Sequence, residues 1–161
     1  MKHLWGFVLF FLCGVFTSQS ESFNPVQWKI AWDSVGENEV EIFFTAKIEK
    51  GWHIYGMNLP QGGPVSTDFT FHTLKNIKQE KTVFPLSSPI IFYDSIFGME
   101  ISTFSNKVSF SALFERTSKE DFLLEGEIIY MACDGQHCLA PQREKYNMIS
   151  VHREYDLHER G

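Results

Sequence analysis

The chain has 161 residues, with 14 Lys and Arg against 20 Asp and Glu and a formal net charge of −6. That length suits one domain with its own core, and the acidic balance excludes a basic nucleic-acid face without naming any partner. Cysteine is scarce, at three residues.

Residues 1–20 read as a secretory signal: Lys2 and His3 make a basic start, an apolar run extends from Leu4 to Phe16, and the small Ser18 and Ser20 suit signal peptidase. The run falls short of the roughly 20 residues that span a bilayer, so the mature protein is expected to be exported rather than anchored. Cys13 lies inside this signal, and the bulky Phe11 and Leu12 before it are poor for lipoprotein processing. It is therefore expected to be discarded, which leaves Cys133 and Cys138 in an oxidising compartment.

The body reads as strands. Val26, Trp28, Ile30 and Trp32 alternate with Gln27, Lys29 and Ala31, and Val40, Ile42, Phe44, Ala46 and Ile48 repeat the pattern. A period of two means that one face is buried. Further strand-like runs span 52–57, 68–74, 108–114, 127–132 and 145–151, and Ile90-Ile91-Phe92-Tyr93 is an apolar strand with Asp94-Ser95 as its polar end. Turn chemistry separates them at Gly36-Glu37-Asn38, at 60–64, at Ser87-Ser88-Pro89 and at 117–120. Many short strands with no long amphipathic helix predict an all-β sandwich, a single domain over residues 21–151 without internal repeat. The 16 phenylalanines are expected in its core. The charged tail 152–161 is expected to be disordered.

The last two cysteines have four residues between them in Cys133-Asp134-Gly135-Gln136-His137-Cys138. A strand from Glu127 delivers the chain to Cys133, Asp134-Gly135 is a strong tight-turn signal, and strand character resumes after Pro141, so the pair sits at the tip of a hairpin. A bridge over so small a ring contributes only about 2 kcal/mol of chain entropy, against about 4 to 5 for long cross-links. The spacing therefore favours a disulfide that is made and broken, with a structural bridge in a non-catalytic binding module as the alternative. Copper held by Cys133, Cys138 and His137, with His53 joining, is a third reading. No second Cys/His cluster exists for a closed zinc site, so neither metal nor cofactor is expected. His72, His152 and His158 are read as surface residues. His137 either favours a thiolate at Cys138 when protonated or is an exposed turn residue. Asp134 reads as a turn former whose charge opposes thiolate formation.

Four segments occur in order: Gly51-Trp52-His53-Ile54-Tyr55; Gly63-Pro64; Tyr93-Asp94-Ser95-Ile96-Phe97-Gly98; and Tyr130-Met131-Ala132-Cys133 through Cys138-Leu139-Ala140-Pro141. Together, from about Pro25 to Val151, they resemble the N-terminal periplasmic domain of the thiol:disulfide interchange protein DsbD. The resemblance implies an immunoglobulin-like sandwich in the periplasm. It would act as a protein-disulfide reductase, taking electrons from a membrane-embedded thiol reductase and passing them to thioredoxin-like proteins. It also implies that Cys138 attacks and Cys133 resolves, and that His53 and Tyr55 stand beside the cysteines. Asp94 would be the active-site carboxylate, in a cap loop of Ser95, Ile96, Phe97 and Gly98 whose apolar lid is Ile96 or Phe97. A monomer is expected.

The chain departs from that pattern in places. Ser95 replaces a second acid, His53 stands where an aromatic hydroxyl is common, four residues separate the cysteines rather than five, and Ala140 precedes Pro141 where a second proline is frequent. The sequence ends at Gly161 with neither reductase nor thioredoxin module, so the donor is expected to be a separate protein.

Overall fold

The computed structural model describes residues 23–95 and 97–151. The expected signal at 1–20, the charged tail at 152–161 and Ile96 of the expected lid lie outside the described residues. Every regular element among the described residues is a strand: β1 (Val26–Ser34), β2 (Glu39–Ile48), β3 (His53–Tyr55), β4 (Asp68–Lys75), β5 (Ile77–Gln79), β6 (Phe84–Pro85), β7 (Ile90–Asp94), β8 (Met99–Ser105), β9 (Lys107–Arg116), β10 (Leu123–Tyr130), β11 (Ala132–Cys133) and β12 (Gln142–Ile149). Among these residues no helix is long and apolar enough to cross a membrane.

The alternation read in β1 and β2 does what a period of two requires. Val40, Ile42, Phe44, Ala46 and Ile48 are all buried, while Glu39 before them and Lys47 among them are exposed. β2 is flanked by β1 and β9 in a sheet of order β1-β2-β9-β5, with β6 also on β9. Its inner face meets a second sheet of order β12-β10-β4. Val108, Phe110 and Phe114 from β9, Phe69 from β4, Leu124, Ile128 and Tyr130 from β10, and Tyr146 from β12 fill the space between. Phe44, Phe69, Phe104, Phe110, Phe114 and Phe122 are core residues, as expected, whereas Phe23, Phe84 and Phe92 are exposed; Phe44 meets Phe69 at 4.9 Å and Tyr146 at 5.3 Å, and Phe69 meets Phe110 at 5.0 Å. The result is the expected all-β, immunoglobulin-like sandwich.

Gly126 marks the one irregularity in the second sheet. The register of β10 on β4 shifts between Glu125 and Gly126, and a Cβ at Gly126 would run into the Thr70 carbonyl and the Tyr146 ring. The Tyr146 hydroxyl donates to that carbonyl at 3.1 Å, and burial pushes its pKa up, so it remains a donor.

Three strands depart from the sequence expectation. β5 and β6 are too short to show a period. β8 is hidden for another reason: Ile101, Thr103 and Phe104 are all buried, so both faces of the strand are covered and no polar alternation marks it. The expected strand over 52–57 shrinks to His53–Tyr55, and the run over 127–132 divides into the end of β10 and β11.

Phe44, at 0 % exposure with three ring neighbours in the opposite sheet, tests this core most directly. Phe44→Ala is expected to cost about 3–5 kcal/mol, read as a lower urea midpoint at unchanged slope.

Candidate functional site: one face of a small sheet

A third sheet, of order β11-β3-β8-β7, carries the cysteines. Antiparallel pairs put their side chains on the same face. Ala132 pairs with Ile54 and Ile54 with Phe104, and all three belong to the main core. The other parity therefore faces away. Cys133 pairs with His53 and His53 with Ser105; Tyr55 pairs with Thr103 and Thr103 with Ile90; Ile101 pairs with Phe92, and Met99 with Asp94. One face of one sheet thus holds Cys133, His53, Tyr55 and Asp94, although they come from three separate strands. Tyr55, Ile101 and Cys133 form a second buried cluster, against which Leu59, Met99 and Met131 pack.

Cys133 and Cys138 are joined by a disulfide with their Cα atoms 4.1 Å apart. They are not equivalent: Cys133 is 2 % exposed, whereas Cys138 is open to solvent. The Tyr55 hydroxyl stands 3.3 Å from the Cys133 sulfur and 3.8 Å from the Cys138 sulfur. A disulfide sulfur carries no proton, so the phenol is the donor. Burial, and then the Asp94 charge, push the Tyr55 pKa up, which keeps that proton in place. Tyr55 is itself anchored: Thr67 Oγ1 donates to its carbonyl at 2.6 Å, and the next residue, Gly56, donates to the Ser102 carbonyl at 2.7 Å. A Cβ at Gly56 would collide with the Ser102 side chain.

His53 packs edge-on to the Tyr55 ring at 5.4 Å. Burial lowers its pKa below 6.5, with Asp134 and then Asp94 pulling the other way. The imidazole is therefore neutral at pH 7. Asp94 closes a turn by accepting from the Phe97 N–H at 3.1 Å, and Gly98 leaves that turn at a φ of 64°, a left-handed conformation that suits glycine. Ser95 is exposed and Phe97 half-buried. Phe97 is not among the residues that pack on the Tyr55, Ile101 and Cys133 cluster.

The hairpin between the sulfurs is organised by Asp134. Its N–H donates to the His137 carbonyl at 3.0 Å, while its Oδ1 accepts from the His137 N–H at 2.7 Å and the Gln136 N–H at 2.9 Å. These two donors, His137 first, hold the carboxyl below the usual carboxylate range. His137 is exposed, with Nδ1 3.8 Å from Asp134 Oδ2. Among the described residues no group of three His, Cys, Asp or Glu side chains is placed to hold a metal ion.

Sequence reasoning missed Ile101, Met99, Leu59, Met131 and Thr67. The first two lie in or at the strand that shows no alternation, and the contacts of the others are set by tertiary packing with no local pattern to reveal them.

A family profile described as "Thiol:disulfide interchange protein DsbD, N-terminal" matches residues 21–150. Among solved structures, the N-terminal periplasmic domain of ScsB from Proteus mirabilis aligns with a TM-score of 0.55 and 18 % identity, covering 78 % of this chain and 47 % of that one. This is a likeness of fold, and the chain spans about half the length of that structure. The Neisseria meningitidis DsbD N-terminal domain in its reduced form aligns with a TM-score of 0.44 and 14 % identity over 75 % of this chain and 84 % of that one. No curated protein matches the chain.

The buried, neutral His53 has a consequence for stability. The unfolded chain, with an imidazole pKa near 6.5, binds this proton more tightly than the folded protein does. The contribution is therefore full above pH 6.5 and is lost as pH falls from there through the lowered folded value. His53→Phe is expected to flatten the decline of the urea midpoint below pH 6.5, and an unchanged decline would contradict the assignment.

Proposed function

This chain belongs to the family of DsbD N-terminal domains, and from that premise we propose that it relays electrons through Cys133 and Cys138 to thioredoxin-like proteins in the periplasm. Family membership and the Cys133–Cys138 disulfide support thiol–disulfide exchange. The observation that carries the relay is the asymmetry of the two sulfurs: one exposed, one buried, with a single hydroxyl in reach of both.

In the dithiol form the Cys138 thiolate attacks the partner's disulfide, forming a mixed disulfide and releasing one partner thiol. Cys133 then attacks the Cys138 sulfur, closing the bridge and releasing the second. Two electrons and two protons pass to the partner, and the chain is left oxidised. A membrane-embedded thiol reductase would reverse this from the other side. Exposure supports Cys138 as the attacker, since only a thiolate that reaches solvent meets a partner disulfide. Burial supports Cys133 as the resolver, sheltered until the mixed disulfide forms.

Tyr55 is placed to donate to whichever sulfur is anionic, and a hydrogen bond to a charged group contributes about 1.5–3 kcal/mol. His53, neutral and on the same face, accepts the proton that leaves a thiol as attack begins. Asp94 lies close enough to act on both Tyr55 and His53. The turn from Asp94 to Gly98, with Ser95 and Phe97, serves as the cap that a partner displaces. His137 is the exposed neighbour of Cys138 and tunes it from the solvent side. The exchange moves electrons from sulfur to sulfur, so the mechanism calls on no metal or cofactor, and a monomer suffices.

Cys133→Ser should trap Cys138 in mixed disulfides with thioredoxin-like proteins when the variant is mixed with periplasmic extract, and Cys138→Ser should trap far fewer. Recovering no such protein would sink the relay and favour a structural bridge. Tyr55→Phe should slow exchange with a model disulfide by about tenfold, the low end of a charge-assisted hydrogen bond, with the fold retained.

A further inference from the structure

We propose that Asp134 is the positioning residue that keeps Cys133 and Cys138 opposed in the dithiol form, making the pair a stronger reductant than its spacing alone would. The inference rests on the relay reading and adds what sets its equilibrium.

The hairpin is closed by contacts that do not pass through sulfur. Asp134 N–H to the His137 carbonyl spans the turn, Leu139 N–H to the Ala132 carbonyl at 2.9 Å closes it from outside the cysteines, and the Asp134 carboxylate satisfies the N–H groups of Gln136 and His137. Gly135 supplies the left-handed residue the turn needs, at a φ of 91°. Reduction of the disulfide removes none of these bonds directly, and in the proposed role they persist in the dithiol. A dithiol held in this turn has already lost much of the loop entropy that ring closure costs, so its sulfurs meet at high effective concentration. The disulfide forms more readily, and the electrons are given up more readily.

Asp134 also carries charge within the turn that joins the two cysteines, and a carboxylate opposes a thiolate. Its loss would therefore favour the reduced form by a second route at neutral pH. The two routes separate because Asn keeps the Oδ1 acceptor and loses the charge, whereas Ala loses both.

The test equilibrates the full chain with dithiothreitol: protein disulfide plus dithiothreitol gives protein dithiol plus oxidised dithiothreitol. It is run near pH 6, well below an ordinary thiol pKa of about 8.5, so that the charge effect is silent. Asp134→Ala should shift the equilibrium towards the dithiol by about tenfold, the scale on which losing a side-chain acceptor of free backbone N–H groups is felt, and equivalent to about 30 mV. Asp134→Asn should recover most of that shift. Amide exchange in the reduced protein supplies the second readout: the Gln136 and His137 N–H groups should be protected in the wild type and in Asn, and exposed in Ala. Equal shifts in Ala and Asn, no shift in either, or unprotected amides in the reduced wild type would each overturn the role. The Cys133→Ser capture leaves Asp134 in place, so the relay reading stands or falls separately.

Discussion

In the sheet β11-β3-β8-β7, successive side chains point to opposite faces, and the core has already claimed one of them through Ile54, Phe104 and Ala132. Everything chemical must then share the other. The three residues of β3 suffice for this: with Ile54 driven inward, His53 and Tyr55 have no choice but the face that Cys133 also occupies. A slip of one residue in any of these pairings would carry a site residue into the core and a core residue into solvent, and loss of the buried Ile54 or Phe104 would cost several kcal/mol. The hydrophobic effect that holds the sandwich together thereby fixes the register of the site, and the hydrogen bonds of Tyr55 to the sulfurs follow from it.

That constraint explains how a short hairpin gives its two sulfurs unlike surroundings. Cys133 ends a strand, packed by Ile101, Met99 and Met131, and so inherits the burial of the sheet. Cys138 lies beyond the turn and is exposed. The ring joining them is small enough that one phenol reaches both. Tyr55 therefore needs no movement to follow a negative charge from one sulfur to the other, which is economical for a reaction whose charge shifts between them.

Much of this was legible in the sequence, and the limits have physical causes. β1, β2, β4, β9, β10 and β12 declared themselves wherever one face was buried and the other wet, and Asp134-Gly135 declared the hairpin, because turn chemistry is local. β8 did not, since Ile101, Thr103 and Phe104 are buried on both faces and leave no alternation to read. The nearness of Tyr55 to Cys133 was also beyond a local pattern: the two are 78 residues apart and meet only through pairings of β3 with β11 and β8. Period two put His53 and Tyr55 on a common face, and the family resemblance alone put the cysteines beside them. Asp134 was read as a turn former, and so it is; that its carboxylate secures two backbone N–H groups within the turn is a matter of geometry the letters do not carry.

The charges around the sulfurs follow a consistent logic. Asp94 and Asp134 both oppose a thiolate and both raise the proton affinity of His53, yet burial outweighs them and leaves the imidazole neutral. Two carboxylates near the sulfurs disfavour a thiolate, and a neutral histidine adds no positive charge to offset that effect. In the proposed relay this is useful: a protonated dithiol is a poor nucleophile towards stray disulfides, and the thiolate appears only when a partner is bound and a proton has somewhere to go. His53 supplies that destination, and the two acids then stabilise the imidazolium they could not create alone. In the proposed relay the proton acceptor therefore sits on β3, where the register of the sheet holds His53 on the face that carries Cys133.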